Sequence, residues 1–246
     1  GGERPEAELL AVMKHVRFAV MAAGFLRVTV GVWPPMRSVE AQSMLFNALL
    51  PLADGTKVVP RWGFGPHLIY VVGGSGDRVR ELSTVDLYDP QDASWKQLAS
   101  MPAPRYGHGC VALDRKLYAV GGHGAADKAL DTAEVYDPQT DGWQPLAKMS
   151  TARAGFGVTA VGGKIYAIGG RGGGSSLESV EAYDPQLGYW ALVASMSEIR
   201  WCHASVVLDG KIYVMGGIGV GGGTRDTVEV YDPQVDSWQR VASMPQ

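Results

Sequence analysis

Lys164-Ile165-Tyr166-Ala167-Ile168-Gly169-Gly170, then Tyr183-Asp184-Pro185, then Trp190 and Met196, is one of four versions of a single phrase in this chain. The other three read Gly73-Gly74, Tyr88-Asp89-Pro90, Trp95, Met101; Gly121-Gly122, Tyr136-Asp137-Pro138, Trp143, Met149; and Gly216-Gly217, Tyr231-Asp232-Pro233, Trp238, Met244. The copies lie 47 or 48 residues apart, and in each the step from Tyr to Trp is seven residues and from Trp to Met six. A fixed period of this length marks repeated supersecondary units, none of which can bury its apolar face without a neighbour.

Within the third copy, residues 156–161 form an apolar run closed by Gly162-Gly163, followed by 164–168, a glycine-rich loop, 179–183, an Asp184-Pro185-Gln186 turn, and a run from Trp190. Short runs punctuated by Gly and Pro predict a four-stranded antiparallel meander. The Gly pair ends the second strand, where a missing Cβ permits positive φ or close backbone approach. Asp-Pro sets a turn, because Pro fixes φ and the Asp carboxylate can accept from local amides. Tyr and Trp, recurring in phase, are expected to pack one unit on the next.

Four-stranded units repeated radially make a β-propeller, and a period near 50 with Gly-Gly, Tyr and Trp resembles the kelch repeat. The resemblance covers residues 66–246 and implies a mostly β fold, a partial kelch-type β-propeller preceded by a short α-helical segment. WD-type propellers have a shorter period and Gly-His and Trp-Asp dipeptides that are not in phase here. Blades are expected at about 66–101, 102–149, 150–196 and 197–246, within a propeller part spanning 61–246. The first unit has no obvious strand before His67. Kelch propellers commonly have about six blades, so the resemblance implies a fragment. An open array of this kind, residues 61–246, is expected to associate or to be poorly soluble.

Residues 1–60 have a different pattern. Pro5-Glu6-Ala7-Glu8 opens a helix with Pro and acids in its first turn, Leu9, Leu10, Met13 and Val16 follow at helical spacing, and Ser38 is an N-cap for a helix to Leu50. The apolar stretch 18–26 ends at Arg27, far short of the roughly 20 residues of a membrane span. Helices of a small domain are favoured here over a secretory signal. Leu9-Leu10, His15-Val16-Arg17-Phe18, Met21 and Ala48-Leu49-Leu50-Pro51 resemble the end of a BACK domain, which in kelch-like proteins lies between a BTB domain and the propeller. The family commonly closes that domain with an aromatic residue and His directly before Leu-Leu-Pro, whereas here Asn47 and Ala48 stand between Phe46 and Leu49.

Composition narrows the functions. A net charge of −3 gives no basic footprint for nucleic acid. Two cysteines, Cys110 and Cys202, fit a reducing, cytoplasmic location and fall two units apart, against a disulfide. Gly217-Ile218-Gly219-Val220-Gly221-Gly222 satisfies G-x-G-x-x-G, but a strand-like run, not a helix, follows it. His108 and His203 share a repeat position that holds Phe156 in the third copy, which marks packing. Asp86, Glu134, Glu181 and Glu229 each lie two residues before the Tyr, and a group repeated in every unit belongs to the frame. No metal, cofactor or catalytic set is expected; fold alone does not license an activity.

Recognition is expected where the frame is fixed and the residue varies. Ser75, His123, Arg171 and Ile218 follow the Gly pairs, and Tyr106, Ala154 and Trp201 follow the repeat arginines Arg105, Arg153 and Arg200. In kelch-like proteins these two places lie on loops around one mouth of the propeller. The candidate partner-binding set is therefore Arg105, Tyr106, His123, Arg153, Arg171, Arg200, Trp201 and Ile218. For the arginines, bonds to backbone carbonyls between blades are an equal alternative. The resemblance implies a non-enzymatic protein-binding module, the substrate-recognition part of a cullin-RING ubiquitin ligase adaptor, with cullin held only through a BTB-BACK part. An actin-binding kelch protein is the second reading and an enzyme on a kelch-type propeller the third.

Overall fold

The seven-residue step from Tyr to Trp becomes a hairpin register. In the computed structural model, which describes residues 68–76, 80–90 and 92–245, Tyr88 pairs with Trp95, Tyr136 with Trp143, Tyr183 with Trp190 and Tyr231 with Trp238. The Asp-Pro turn between them is stapled as expected. Asp137, Asp184 and Asp232 each accept from the amide two residues on at 2.9 Å. Each of these aspartates also meets the lysine that opens the neighbouring strand, Lys116, Lys164 or Lys211.

The first sheet has three described strands, β1 (Ile69–Gly74), β2 (Leu82–Asp89) and β3 (Ser94–Leu98). The second contains β4 (Gly109–Leu113), β5 (Lys116–Val120), β6 (Ala133–Asp137) and β7 (Gly142–Pro145). The third contains β8 (Gly157–Val161), β9 (Lys164–Gly172), β10 (Ser175–Asp184) and β11 (Tyr189–Val193). The fourth contains β12 (Ala204–Leu208), β13 (Lys211–Met215), β14 (Val228–Asp232) and β15 (Ser237–Val241). All pairings are antiparallel between consecutive strands, and the first strands β4, β8 and β12 lie side by side. This is the radial meander of a β-propeller. Among the described residues there is no α-helix, only 3-10 turns at Ala125–Asp127 and Val220–Gly222. The helical stretch expected over 1–60, with its likeness to a BACK domain, lies outside the described residues.

One detail of the third unit differs from expectation. The glycine-rich stretch after Ile168 is not a loop reaching to Ser179. β9 runs through the Gly pair to Gly172 and β10 starts at Ser175, with a register shift between Leu177 and Val180. Gly173 and Gly174, at φ 58° and 84°, make the tight turn, so the hairpin extends past the other units.

The core sits between blades. One cluster joins the first and second sheets through Tyr70, Val72, Val85, Met101, Leu117, Ala119 and Tyr136. A second joins Val111, Leu113, Tyr118 and Met149 to Ile165, Ala167 and Tyr183. The third joins Tyr166, Ile168, Val180 and Met196 to Ile212, Val214 and Tyr231. Each interior Trp also reaches back one blade. Trp143, Trp190 and Trp238 donate their indole N–H to the carbonyls of Ala99, Ala147 and Ala194 at 2.9, 3.0 and 2.8 Å. The repeated aromatic pair is thus both apolar mass and a directional tie.

Candidate functional site

The three repeat arginines are internal. Arg105, Arg153 and Arg200 have no solvent exposure, and each is bonded to strands of its own sheet. Arg153 donates to the carbonyls of Gly169 and Ser179 at 2.9 and 3.0 Å and to the Glu181 carboxylate at 2.7 Å. Arg200 does the same with Gly216, Thr227 and Glu229. Arg105 meets Gly121, Thr132 and, at 3.3 Å, Glu134. The expectation that they offer donors to a partner is therefore corrected, since a guanidinium with no exposed surface cannot reach one. The frame acids Glu134, Glu181 and Glu229 are their counter-ions.

The three carboxylates are not equivalent. Burial works against the ionised form of Glu229, but the Ser197 amide and the Arg200 guanidinium outweigh it, so its pKa lies below the ordinary value. For Glu134 burial wins over the Arg105 charge, and its pKa is raised. The stabilisation from ionised Glu229 is present above the ordinary Glu value of 4.5 and lost as pH falls through its folded pKa. Glu134 has the opposite sign, because the fold favours its protonated form. Glu229→Gln is thus expected to lower the melting temperature at neutral pH and to flatten its decline in acid. Glu134→Gln should cost less at neutral pH. A pH series of thermal melts on both variants checks this.

The variable positions come together in pairs. The residue after each arginine and the residue after each Gly pair exchange two backbone hydrogen bonds: Tyr106 with His123, Ala154 with Arg171, and Trp201 with Ile218, all between 2.7 and 3.1 Å. What the sequence presents as two variable places per repeat is one place at one end of each sheet. Adjacent blades are linked across it. The Arg171 guanidinium lies over the Trp201 ring, 4.9 Å from its centroid, a cation–π contact between the third and fourth blades. In the second blade the rings of Tyr106 and His123 stack at 5.0 Å, and Arg80 from the first blade covers Tyr106 at 5.6 Å.

Tyr106 does not serve as the exposed anchor expected of it. It is 5% exposed, covered by His123 and Arg80, and supports them instead. His123 is half-buried, and burial first, then the charges of Arg80 and Arg171, hold its pKa below the usual imidazole value. Arg171 is exposed, and Trp201 and Ile218 are half-buried. Arg80 and Asp127, joined at 2.8 Å, belong to the same face and were not singled out by repeat position. Arg80 sits five residues past Ser75, in phase with Lys128 of the second copy, so a basic residue at the same loop position in both copies was the signal available in the sequence.

His108 is buried and His203 partly so; burial, then the neighbouring Arg105 or Arg200 charge, pushes both down to about 3, and they stay neutral fillers. The buried Cys110 thiol is pushed up to about 12 by burial, and neither cysteine is in a disulfide. The G-x-G-x-x-G stretch is a 3-10 turn leading into β14. Among the described residues no set of three His, Cys, Asp or Glu side chains gathers as a metal site, and no helix is long and apolar enough to cross a membrane.

The chain is similar in fold to a solved structure described as "Structure of YjhT", with a TM-score of 0.62 and 20% identity over 72% of this chain. It spans 62% of that chain, and at this identity the likeness concerns the fold alone. The Kelch motif matches four times, at residues 64–102, 104–150, 152–197 and 200–245, which indicates a β-propeller protein-binding module. Together with four meanders in one register, these matches place the chain in the Kelch-motif family.

Proposed function

We propose that the face carrying Arg80, His123, Arg171, Trp201 and Ile218 recognises a protein segment, and that the chain is the substrate-recognition part of a kelch-like cullin-RING ubiquitin ligase adaptor acting in the cytoplasm. The observation that carries the first part is the exposed Arg171 guanidinium laid on Trp201. It makes no ion pair among the described residues and is pre-oriented by the ring, so it can meet a carboxylate without ordering cost. With half-buried Trp201 and Ile218 beside it, the surface fits a segment carrying Asp or Glu next to an apolar residue. The adaptor role rests on the kelch resemblance together with the likeness of residues 1–60 to a BACK domain. In that reading cullin is held by a BTB-BACK part and the propeller supplies only the substrate.

Arg171→Ala and Trp201→Ala are expected to weaken a captured partner by roughly 1–3 kcal/mol each while leaving the melting temperature nearly unchanged. Because the two side chains touch, the double variant should lose less than the sum. Calorimetric titration of a partner taken from a pull-down with the propeller measures this. Full affinity in both variants would move recognition to the opposite mouth or the outer rim. Cullin capture that depends on a BTB part in the full reading frame tests the adaptor role separately.

A further inference from the structure

Where the first and second blades meet, a carboxylate in the later blade's hairpin turn ties them together. Asp141 Oδ1 accepts from the Ala99 amide at 2.9 Å and from the Tyr136 hydroxyl at 2.7 Å. Asp236 does the same between the third and fourth blades, with Ala194 at 2.8 Å and Tyr231 at 2.7 Å. The amide first, then the hydroxyl, holds each carboxyl below the usual range, so this pair of donors favours the ionised form. Between the second and third blades the position is taken by Gly188, two residues before the Trp like Asp141 and Asp236. Its backbone is left-handed as theirs is, with φ 73° against 47° and 49°. The rest of this joint matches the others. Trp190 donates to the Ala147 carbonyl, and Tyr183 lies against Trp190 at the 5.2 Å and 41° that Tyr136 makes with Trp143. Tyr183 is 4% exposed, and among the described residues neither its hydroxyl nor the Ala147 amide has a hydrogen-bond partner. A Cβ on Gly188 would meet nothing within 4 Å, so a side chain has room there.

We propose that the Tyr183 hydroxyl and the Ala147 amide take a carboxylate from a partner protein, an Asp or Glu side chain on an extended segment that lies along β11. The chemistry of the occupant is set by the two joints in which an aspartate fills the same pair of donors. That it belongs to a polypeptide follows from the surroundings. Leu187 and Tyr189, on either side of Gly188, are exposed, as is Leu192 further along the strand. The outer strands of the other blades carry a residue that discourages strand addition: Lys96 in β3, Pro145 in β7 and Arg240 in β15. β11 carries neither charge nor Pro, and its outer edge offers backbone groups to an added strand. The site is separate from the face of Arg171. That residue pairs with Ser176 near the start of β10, whereas Tyr183 lies near its far end.

NMR titration of the whole chain, its alanine amides isotope-labelled, with the blocked peptide acetyl-Thr-Leu-Asp-Leu-Thr-amide tests this. The Ala147 signal is expected to shift saturably, and the Asn counterpart of the peptide should bind at least about tenfold more weakly. Tyr183→Phe should weaken the Asp peptide roughly two- to tenfold. Its melting temperature should stay nearly unchanged, since the hydroxyl has no bond to lose. Arg171→Ala should bind the peptide as wild type does. Gly188→Asp supplies the carboxylate from within, so it should abolish the shift. It should also melt roughly 4 °C or more above Gly188→Ala, which bears the same dihedral without the carboxylate. An unshifted Ala147 signal in the wild-type chain overturns the proposal, as does equal binding of the Asn peptide. A Gly188→Asp protein no more stable than Gly188→Ala also overturns it, because the two donors would then already be engaged by another part of the chain.

Discussion

Arg153→Ala is expected to remove about 3–5 kcal/mol of folding stability, the largest loss from any single side chain considered. The side chain has no exposure, and its partner Glu181 is 1% exposed. Truncation would strand two carbonyls, Gly169 and Ser179, and leave a carboxylate that keeps only the Ser150 and Thr151 amides, at 2.6 and 3.1 Å. A buried charge that loses its partner costs more than the pair contributes, because desolvation has already occurred. Replacing both residues, Arg153→Met with Glu181→Leu, should therefore recover part of the loss. Denaturant unfolding of the single and double variants beside Arg171→Ala makes the comparison. Arg171 is exposed and should change stability by less than about 0.5 kcal/mol. An Arg153→Ala protein as stable as wild type but poorer at binding its partner would reinstate the arginine as a contact.

Gly169→Ala comes next, with an expected loss of at least ~2 kcal/mol. Gly169 has φ +60°, and an added Cβ would stand 2.6 Å from the Arg200 carbonyl and 2.8 Å from Met196 Cε. That carbonyl cannot withdraw, because it accepts from the Gly170 amide at 2.7 Å and so ties the third blade to the chain entering the fourth. Gly162 separates the two contributions. It has φ +59° with nothing within 4 Å of a Cβ, so Gly162→Ala bears the dihedral strain alone, roughly 1 kcal/mol. Thermal melts of the two variants should differ clearly in favour of Gly162→Ala. Equal losses would show that the junction yields and that the close approach is not what demands glycine.

Much of the architecture follows from intervals in the sequence. The Tyr-to-Trp step of seven sets the hairpin register, Asp-Pro supplies a turn with its own acceptor, and the Gly pairs adopt positive φ at the end of each inner hairpin. These are local matters, decided within a few residues by backbone geometry and side-chain chemistry. The variable residues after the Gly pairs and after the arginines are legible in the same way, because a fixed frame isolates them. The arginines carried a signal as well. They recur in phase beside acids that also recur in phase, and a pair repeated in every unit belongs to the frame.

What the intervals could not determine is which side of a surface each residue meets. Arg153 is buried because groups 16, 26 and 28 residues away close around it, and Tyr106 is covered by Arg80 from the preceding blade. Arg171 meets Trp201 across a blade boundary that no spacing encodes. The sequence by itself determined the repeat, the strands, their register and the positions free to vary. Tertiary structure alone decided which of those positions face solvent, because burial depends on how neighbouring blades stack, and contacts between blades join residues whose separation carries no periodic mark.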